Sequence, residues 1–150
     1  MSQSLSKLYV HLVFSSKNRV DAIPQKHLAE VHAYIAGILK DHKCPVICVG
    51  GTSNHVHILF ALDRNKPLTE IVRTVKSSTT RWINGKTPIF THFCWQDGYG
   101  AFSVSQSHVP AVTDYIKGQE EHHKTVSFQD EFRRLCKLYN VGLDERYAWD

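Results

Sequence analysis

The stretch Asn54-His55-Val56-His57-Ile58-Leu59-Phe60-Ala61-Leu62 decides how the rest of the chain is interpreted. Its run of apolar and β-branched side chains predicts a buried β-strand. Alternate residues of a strand point to the same face of a sheet, so the imidazoles of His55 and His57 are expected side by side. Two imidazoles in this arrangement can bind one metal ion. Because the chain has 10 histidines, such a pair also arises by chance, and the neighbouring elements must decide.

The segments around this strand alternate between strand and helix patterns. Residues 8–15 predict a strand whose even-numbered side chains, from Leu8 to Phe14, enter the core. Pro24 opens a predicted helix that ends near residue 43, and a short strand over residues 45–49 runs into a turn at Gly50-Gly51. The remaining predictions are a helix over residues 67–86, a hairpin of strands over residues 90–95 and 101–105, a helix capped by Ser107 and a last helix over residues 127–138.

This order of elements predicts one α+β domain over residues 1–150. Strand, helix, strand, strand, helix, strand is the ferredoxin-like plan, shared with RNA-recognition domains, in which two helices cover one face of an antiparallel sheet. The first and third strands are central neighbours in that plan. Tyr9 and His11 are therefore expected beside His55 and His57, on the face away from those two helices. The C-terminal helices are additions to the plan.

Composition limits the function classes. A net charge of +4 favours a polyanionic partner. The four cysteines lack the spacing of a zinc ribbon or a disulfide framework, which indicates reduced thiols. The sequence shows neither an apolar stretch of membrane-spanning length nor the apolar core of a signal peptide. We therefore expect a cytoplasmic protein that does not associate with membranes.

The helix predicted after Ser107 carries groups that can complete a metal site. Tyr115 and Gln119 are four residues apart and share one helical face, which His122 continues. The carbonyl oxygen of Gln119 can ligate a hard divalent cation, and mixed oxygen and imidazole ligation suits Mg²⁺ or Mn²⁺. A phosphodiester bound there can be attacked by the Tyr115 hydroxyl, which leaves a covalent phosphotyrosine. Rejoining the strand then needs no nucleotide cofactor.

His-Val-His on a strand, followed about 60 residues later by Tyr-x-x-x-Gln on a helix, resembles the single-tyrosine HUH transposases of bacterial insertion sequences and their domesticated, palindrome-associated relatives. Further stretches similar to that family are Phe14-Ser15-Ser16-Lys17-Asn18-Arg19, Gly51-Thr52-Ser53-Asn54-His55-Val56-His57 and residues 95–105, which begin Trp95-Gln96-Asp97-Gly98-Tyr99-Gly100. The resemblance spans residues 5–138. It implies that His55, His57 and Gln119 are metal ligands and that Tyr115 is the nucleophile.

The resemblance also implies a homodimer joined through sheet edges, which cleaves and rejoins single-stranded DNA. Its substrates would be imperfect hairpins near the ends of a mobile element, processed through 5′-phosphotyrosine intermediates. An edge strand over residues 101–105 independently favours dimerisation. DNA contacts are expected from the cations of the matched N-terminal stretch and of the second helix, which can equally form a solvated face; these are Lys17, Arg19, Arg73, Lys76 and Arg81.

Two other functions stay open at this point. A catalytically silent DNA-hairpin binder descended from such an enzyme would show hairpin affinity without cleavage, and it has no physical need for the complete set of four site residues. A metal-dependent phosphoesterase would use water as its nucleophile and would turn over without Tyr115. His11 is expected to support the site rather than to ligate the metal, although its place on the strand keeps it as an alternative donor.

Overall fold

The computed structural model describes residues 2–86 and 92–150. Its strands are β1 (Tyr9–Ser15), β2 (Val46–Thr52), β3 (His55–Ala61) and β4 (Gly100–Val104). Its α-helices are α1 (Leu28–Asp41), α2 (Leu68–Lys86), α3 (Val109–Lys117), α4 (Gln119–His122) and α5 (Phe128–Leu138). Within the described residues, every helix is too short or too polar to cross a bilayer.

The four strands form one antiparallel sheet in the order β2-β3-β1-β4. This is the order of the ferredoxin-like plan, so the predicted α+β fold is confirmed. β1 and β3 are the central pair, and their register places Val13 opposite His57 and Ser15 opposite His55. Directly paired residues point to the same face. His11 therefore shares a face with both histidines of β3, as the alternation in the sequence predicts.

Helices cover both faces of this sheet. On one face, α1 and α2 enclose the even-numbered side chains of β1 and β3, such as Phe14 and Ile58. On the other face, Val13 packs with Phe132 of α5, and Leu59 packs with Ile116 of α3. The C-terminal helices thus lie over the histidine-bearing face. Polar groups on that face are consequently removed from water.

The predicted turn at Gly50-Gly51 is wrong, because both glycines belong to β2 and the chain turns at Ser53-Asn54 instead. Close packing explains the glycine at position 50. A Cβ atom there would stand 2.4 Å from the carbonyl oxygen of Ile116 and 2.8 Å from its Cγ2 atom. The backbone of α3 therefore crosses β2 at a position that admits no side chain.

The predicted strand over residues 90–95 is also not observed where the structure describes it. Phe90 and residue 91 lie outside the described residues, and the rest of the segment makes only an isolated bridge between Trp95 and Ser16. The Trp95 ring is buried edge-on against Phe14, with centroids 4.8 Å apart, and its indole N–H donates to Thr79 Oγ1 at 2.8 Å. This anchoring draws the segment to the core beside α2 rather than into a hairpin with β4.

Three smaller predictions need correction. Leu8 precedes β1 and is 49% exposed, so it does not belong to the core. Ser107 lies in a 3-10 turn, and the residue that caps α3 is His108, whose side chain makes no capping bond. The predicted third helix divides at Gly118 into α3 and α4, which agrees with the low helix propensity of glycine. By contrast, Ser127 Oγ does accept a capping bond from the backbone N–H of Asp130 in α5.

Candidate active site

The two histidines of β3 point into a buried polar cluster between the sheet and the C-terminal helices. His55 is 2% exposed and His57 is fully buried. The Nε2 atom of His57 lies 2.9 Å from Oε1 of Glu131 in α5, and Nε2 of His55 lies 3.7 Å from the same oxygen. The strand therefore presents both imidazoles to one carboxylate, which is itself 1% exposed.

Gln119 joins this cluster from the first position of α4. Its amide nitrogen donates a hydrogen bond to Glu131 Oε2 at 2.9 Å. That bond orients the amide so that Oε1 lies 2.8 Å from His55 Nε2. The predicted proximity of Gln119 to the β3 histidines is thus present in the structure, although Gly118 separates its helix from that of Tyr115.

The neighbours of His55 Nδ1 are Asn54 Oδ1 at 2.8 Å and Thr52 Oγ1 at 3.0 Å, and both oxygens can accept a proton from it. Asn54 Nδ2 donates to the carbonyl oxygen of Arg19, which turns Asn54 Oδ1 toward His55 Nδ1 at 2.8 Å. Burial, with a smaller effect of neighbouring His57, lowers the pKa of His55 to about 3, so the ring is neutral and carries one N–H. With that proton on Nδ1, the Nε2 lone pair would face the Gln119 carbonyl oxygen, and both atoms would be acceptors. A cation between these two atoms would remove their repulsion.

The spacing of the donor atoms also fits a metal ion. One ligand atom each from His55, His57, His123 and Glu131 lies within 4.8 Å of the others. Adjacent ligands of an octahedral ion with bonds of about 2.1 Å are about 3 Å apart. The separation of 2.9 Å between His57 Nε2 and Glu131 Oε1 matches that spacing. Among the described residues, this cluster can therefore hold a metal through nitrogen and oxygen donors.

Tyr115 contacts the Glu131 carboxylate of its own chain. Its hydroxyl donates a short hydrogen bond to Glu131 Oε2, and its ring stands edge-on to His57 with centroids 5.7 Å apart. Burial first, and then the bond to the Glu131 carboxylate, raises the pKa of the Tyr115 phenol well above its usual range. The tyrosine is therefore protonated at neutral pH, and an acceptor for its proton is already in contact with it.

The Glu131 carboxyl is ionised in this environment. Burial alone would raise its pKa, but the neighbouring His123 imidazole and hydrogen bonds with His57 and Tyr115 outweigh burial and hold the pKa well below its usual range. Its two oxygens have different neighbours. Oε1 faces His55, His57 and His123, whereas Oε2 faces the Tyr115 hydroxyl and the Gln119 amide. One carboxylate thus connects the candidate metal ligands with the candidate nucleophile.

The other predicted histidines lie around this centre. His11 Nε2 is 2.8 Å from His57 Nδ1, a position from which it can orient the His57 ring. His122 Nε2 is 3.4 Å from Glu131 Oε2, and His123 Nε2 is 3.1 Å from Oε1. Both histidines at the C-terminal end of α4 therefore border the site, and His123 is one of the four possible metal ligands.

Sequence reasoning missed Glu131 and His123. A signal for Glu131 was present, because it falls between Phe128 and Leu135 on the apolar stripe of the last predicted helix. A carboxylate on a buried helical face needs a buried partner. No comparable signal singled out His123 within a charged run.

Several of the predicted DNA-contact residues are engaged in contacts within the protein. Lys76 Nζ donates to the carbonyl oxygens of Gln96 and Gly98, each at 2.7 Å, and burial lowers its pKa to about 8. It therefore holds the segment around Gly98 on α2. Arg19 Nη1 donates to the carbonyl oxygen of Trp149 at 2.7 Å, and Lys17 Nζ lies 4.0 Å from Asp97.

Arg73 and Arg81 are exposed on α2 and line one groove together with Lys76. Because α2 covers the opposite face of the sheet from α3, this groove and Tyr115 are separated by the sheet. A DNA strand that contacts both would have to pass around an edge of the sheet.

Comparison with known proteins places the chain in a family. The model of the family described as "Transposase IS200 like" matches residues 4–119. No curated protein matches the sequence.

Two solved structures share the fold. One is described as a transposase of Deinococcus radiodurans R1, with 18% identity and a TM-score of 0.61, covering 79% of this chain and 98% of its own. The other is a REP-associated tyrosine transposase bound to a REP hairpin, with 14% identity and a TM-score of 0.61, covering 100% and 94%. The chain described here therefore belongs to the IS200-like transposase family.

Proposed function

We propose that this chain is a DNA transposase that cleaves and rejoins single strands at hairpin-marked element ends, through one catalytic domain over residues 1–150. Tyr115 is the nucleophile in this proposal. His55, His57 and Gln119 bind Mg²⁺ or Mn²⁺, with Glu131 as a further ligand. The observation that carries the proposal is the Glu131 carboxylate, which bonds Tyr115 through one oxygen and His57 through the other.

The chemistry follows from that geometry. The Tyr115 oxygen attacks the phosphorus of a phosphodiester. Formation of the oxygen–phosphorus bond makes the phenol proton acidic, so that it passes along the existing hydrogen bond to Glu131 Oε2. The bond from phosphorus to the 3′ oxygen breaks, and that oxygen takes a proton from solvent to become a 3′-hydroxyl. His55, His57 and Gln119 would hold a divalent cation, which would supply charge neutralisation for the phosphate. The 5′-phosphotyrosine retains the ester bond, so a 3′-hydroxyl can reverse the reaction and rejoin the strands.

Single-stranded DNA with imperfect hairpins is the substrate class that we infer. The net charge of +4 favours a polyanion. A structure with the same fold is that of a transposase bound to a REP hairpin, which supports a hairpin partner for this chain. The sheltered position of Tyr115, behind α4 and α5, favours an extended single strand over a duplex.

A covalent adduct tests the nucleophile. The protein is incubated with Mn²⁺ or Mg²⁺ and labelled single strands carrying imperfect hairpins from the DNA that flanks its gene, together with a random-sequence pool. Denaturing electrophoresis is expected to show a protein–DNA adduct whose linkage maps to Tyr115. Tyr115→Phe removes only the hydroxyl and should abolish the adduct, while Tyr99→Phe, at a tyrosine on the other face of the sheet, should retain it. An adduct that persists in Tyr115→Phe would refute the assignment.

A silent hairpin-binding protein is the second candidate. The observation that favours it is the raised pKa of Tyr115, which makes the phenol a weaker nucleophile until its proton is removed. Hairpin binding without adduct formation by the native protein, with either metal, would select this function. A phosphoesterase would instead release free 5′-phosphate ends over many turnovers, and Tyr115→Phe would leave its rate unchanged.

We also propose that the chain forms a homodimer. β4 is an edge strand of the sheet, and an uncovered edge leaves backbone N–H and C=O groups ready to pair with a second copy. Light scattering at micromolar concentration is expected to give twice the monomer mass. Ser103→Pro removes one backbone donor at an exposed position of β4 and should shift the protein toward monomer. A monomeric native protein would contradict this proposal.

A further inference from the structure

A cavity of about 310 Å³ lies between α3 and α5, directly beside Tyr115. Its walls are apolar side chains from both helices, Ala111, Val112, Leu135 and Leu138. Tyr115 and Glu131 also line it. The cavity therefore adjoins the point at which the proposed function places the scissile phosphate.

An aromatic ring completes the cavity wall. Tyr139 follows α5, and its ring stacks on Phe102 of β4 with centroids 4.7 Å apart and an angle of 17° between the planes. This stacking holds the ring in place. Leu138 at the same cavity is 76% exposed, which leaves apolar surface in water. A flat, largely apolar ligand would cover that surface and contact a pre-positioned aromatic side chain.

A cation stands at the same cavity. Arg134 lines it and forms no ion pair within residues 2–86 and 92–150. Its neighbour Arg133 is by contrast bound to both Asp130 and Glu145. Of the two guanidinium groups, that of Arg134 is therefore available to bind a phosphate.

From these features we propose that the cavity binds one unpaired nucleobase next to the scissile phosphate, while Arg134 contacts the adjoining phosphate. This inference rests on the proposed function, because it takes the scissile phosphate to lie at Tyr115. A nucleobase is flat, has an apolar face and is linked to a phosphate, which matches the walls and the cation. A second protein would need a contact surface of roughly 800 Å², which a cavity of this size does not offer. A base held in a duplex cannot enter, so the cavity selects single strands.

Photocrosslinking locates the base independently of cleavage. The Tyr115→Phe protein is mixed with single strands in which 4-thiothymidine replaces one nucleotide at a time on either side of the cleavage position, or at each position in turn if no cleavage is found. After irradiation, one position is expected to crosslink to the peptide that carries Leu138 and Tyr139. Crosslinks spread evenly over all positions, or absent from this peptide, would overturn the inference.

A cycle that combines one change in the DNA with one substitution in the protein then tests whether the bound base contributes to the reaction. An abasic site at the crosslinking position should lower the yield of Tyr115 adduct by about tenfold, the size expected for loss of one base stacked on protein. Ala111→Phe fills the cavity from an exposed position of α3 and should lower the yield on intact DNA by a similar factor. It should cause no further loss on abasic DNA. Equal losses by Ala111→Phe on both DNAs would contradict base binding.

Two controls separate this effect from misfolding. Ala33→Phe introduces the same ring at an exposed position of α1, across the sheet, and should leave the adduct yield unchanged. Leu138→Ala truncates an exposed side chain at the cavity and should lower the yield on intact DNA only.

An adduct without crosslinks to Leu138 or Tyr139 would refute the cavity proposal alone. Crosslinks without any adduct would refute the nucleophile alone, and the absence of both would refute the two proposals together.

Discussion

Glu131→Ala is expected to lower the free energy of unfolding by about 2–4 kcal/mol, because it leaves several buried hydrogen-bonding groups without a partner. The Tyr115 hydroxyl, the Gln119 amide and the His57 imidazole all bond to this carboxylate. The same change removes a proposed metal ligand and the proton acceptor of Tyr115. Mn²⁺ should therefore raise the melting temperature of the native protein but not of the variant, and adduct yield should fall by about 10- to 100-fold.

The control for this prediction is Glu120→Ala, an exposed glutamate on α4 that should change the free energy of unfolding by less than about 0.5 kcal/mol. The pH dependence supplies a second check. Because the pKa of folded Glu131 is held below its unfolded value of 4.5, its ionised form stabilises the fold above that pH. The stability difference between the native protein and Glu131→Gln should shrink as the pH falls below 4.5. A difference that grows toward low pH would refute the ionised carboxylate.

Gly50→Ala is expected to destabilise the protein by about 1–3 kcal/mol through overpacking. The new methyl group would overlap the carbonyl oxygen of Ile116, 2.4 Å away, so α3 must shift off β2. Ile116 follows Tyr115 directly in the chain, and the shift would move the hydroxyl relative to Glu131. Chemical unfolding should show the loss of stability, and the adduct assay should show a reduced yield in protein that is still folded.

Gly37→Ala is the matched substitution. Gly37 lies inside α1, and within residues 2–86 and 92–150 no atom beyond the adjacent residues and the nearby backbone of its own helix lies within 4 Å of the Cβ that alanine would add. Alanine favours a helix interior over glycine, so this variant should gain about 0.5–1 kcal/mol. The same chemical change is thus expected to act with opposite signs at the two sites. Equal effects would show that α3 does not rest on β2 as the structure places it.

Much of the site was predictable from local periodicity. The period of two along a strand put His55 and His57 on one face, and the central pairing of β1 with β3 brought His11 to the same face. The four-residue spacing of Tyr115 and Gln119 put both side chains on one helical side, even though Gly118 interrupts the helix. These relations depend on backbone geometry over a few residues, which the sequence reports directly.

Errors arose where a long-range contact overrode a local pattern. Gly50-Gly51 has the composition of a turn, but it lies within β2. The backbone of α3 packs so closely on β2 at Gly50 that no side chain fits there. The segment before Gly98 has strand-like composition, but Trp95 and the Lys76 ammonium fix it beside α2. Leu138 continues an apolar helical stripe and is nevertheless exposed, because it borders a cavity instead of the core.

The sequence by itself determined the order β1-α1-β2-β3-α2-β4, the shared face of the histidines and the pairing of Tyr115 with Gln119. Only the tertiary structure decided that α5 closes over that face and inserts Glu131 between the histidines and the tyrosine, 74 residues after His57 in the chain. Periodicity states which side of an element is apolar, but it does not state which surface that side will meet. That choice depends on packing between distant segments, and here it placed a carboxylate at the centre of the site.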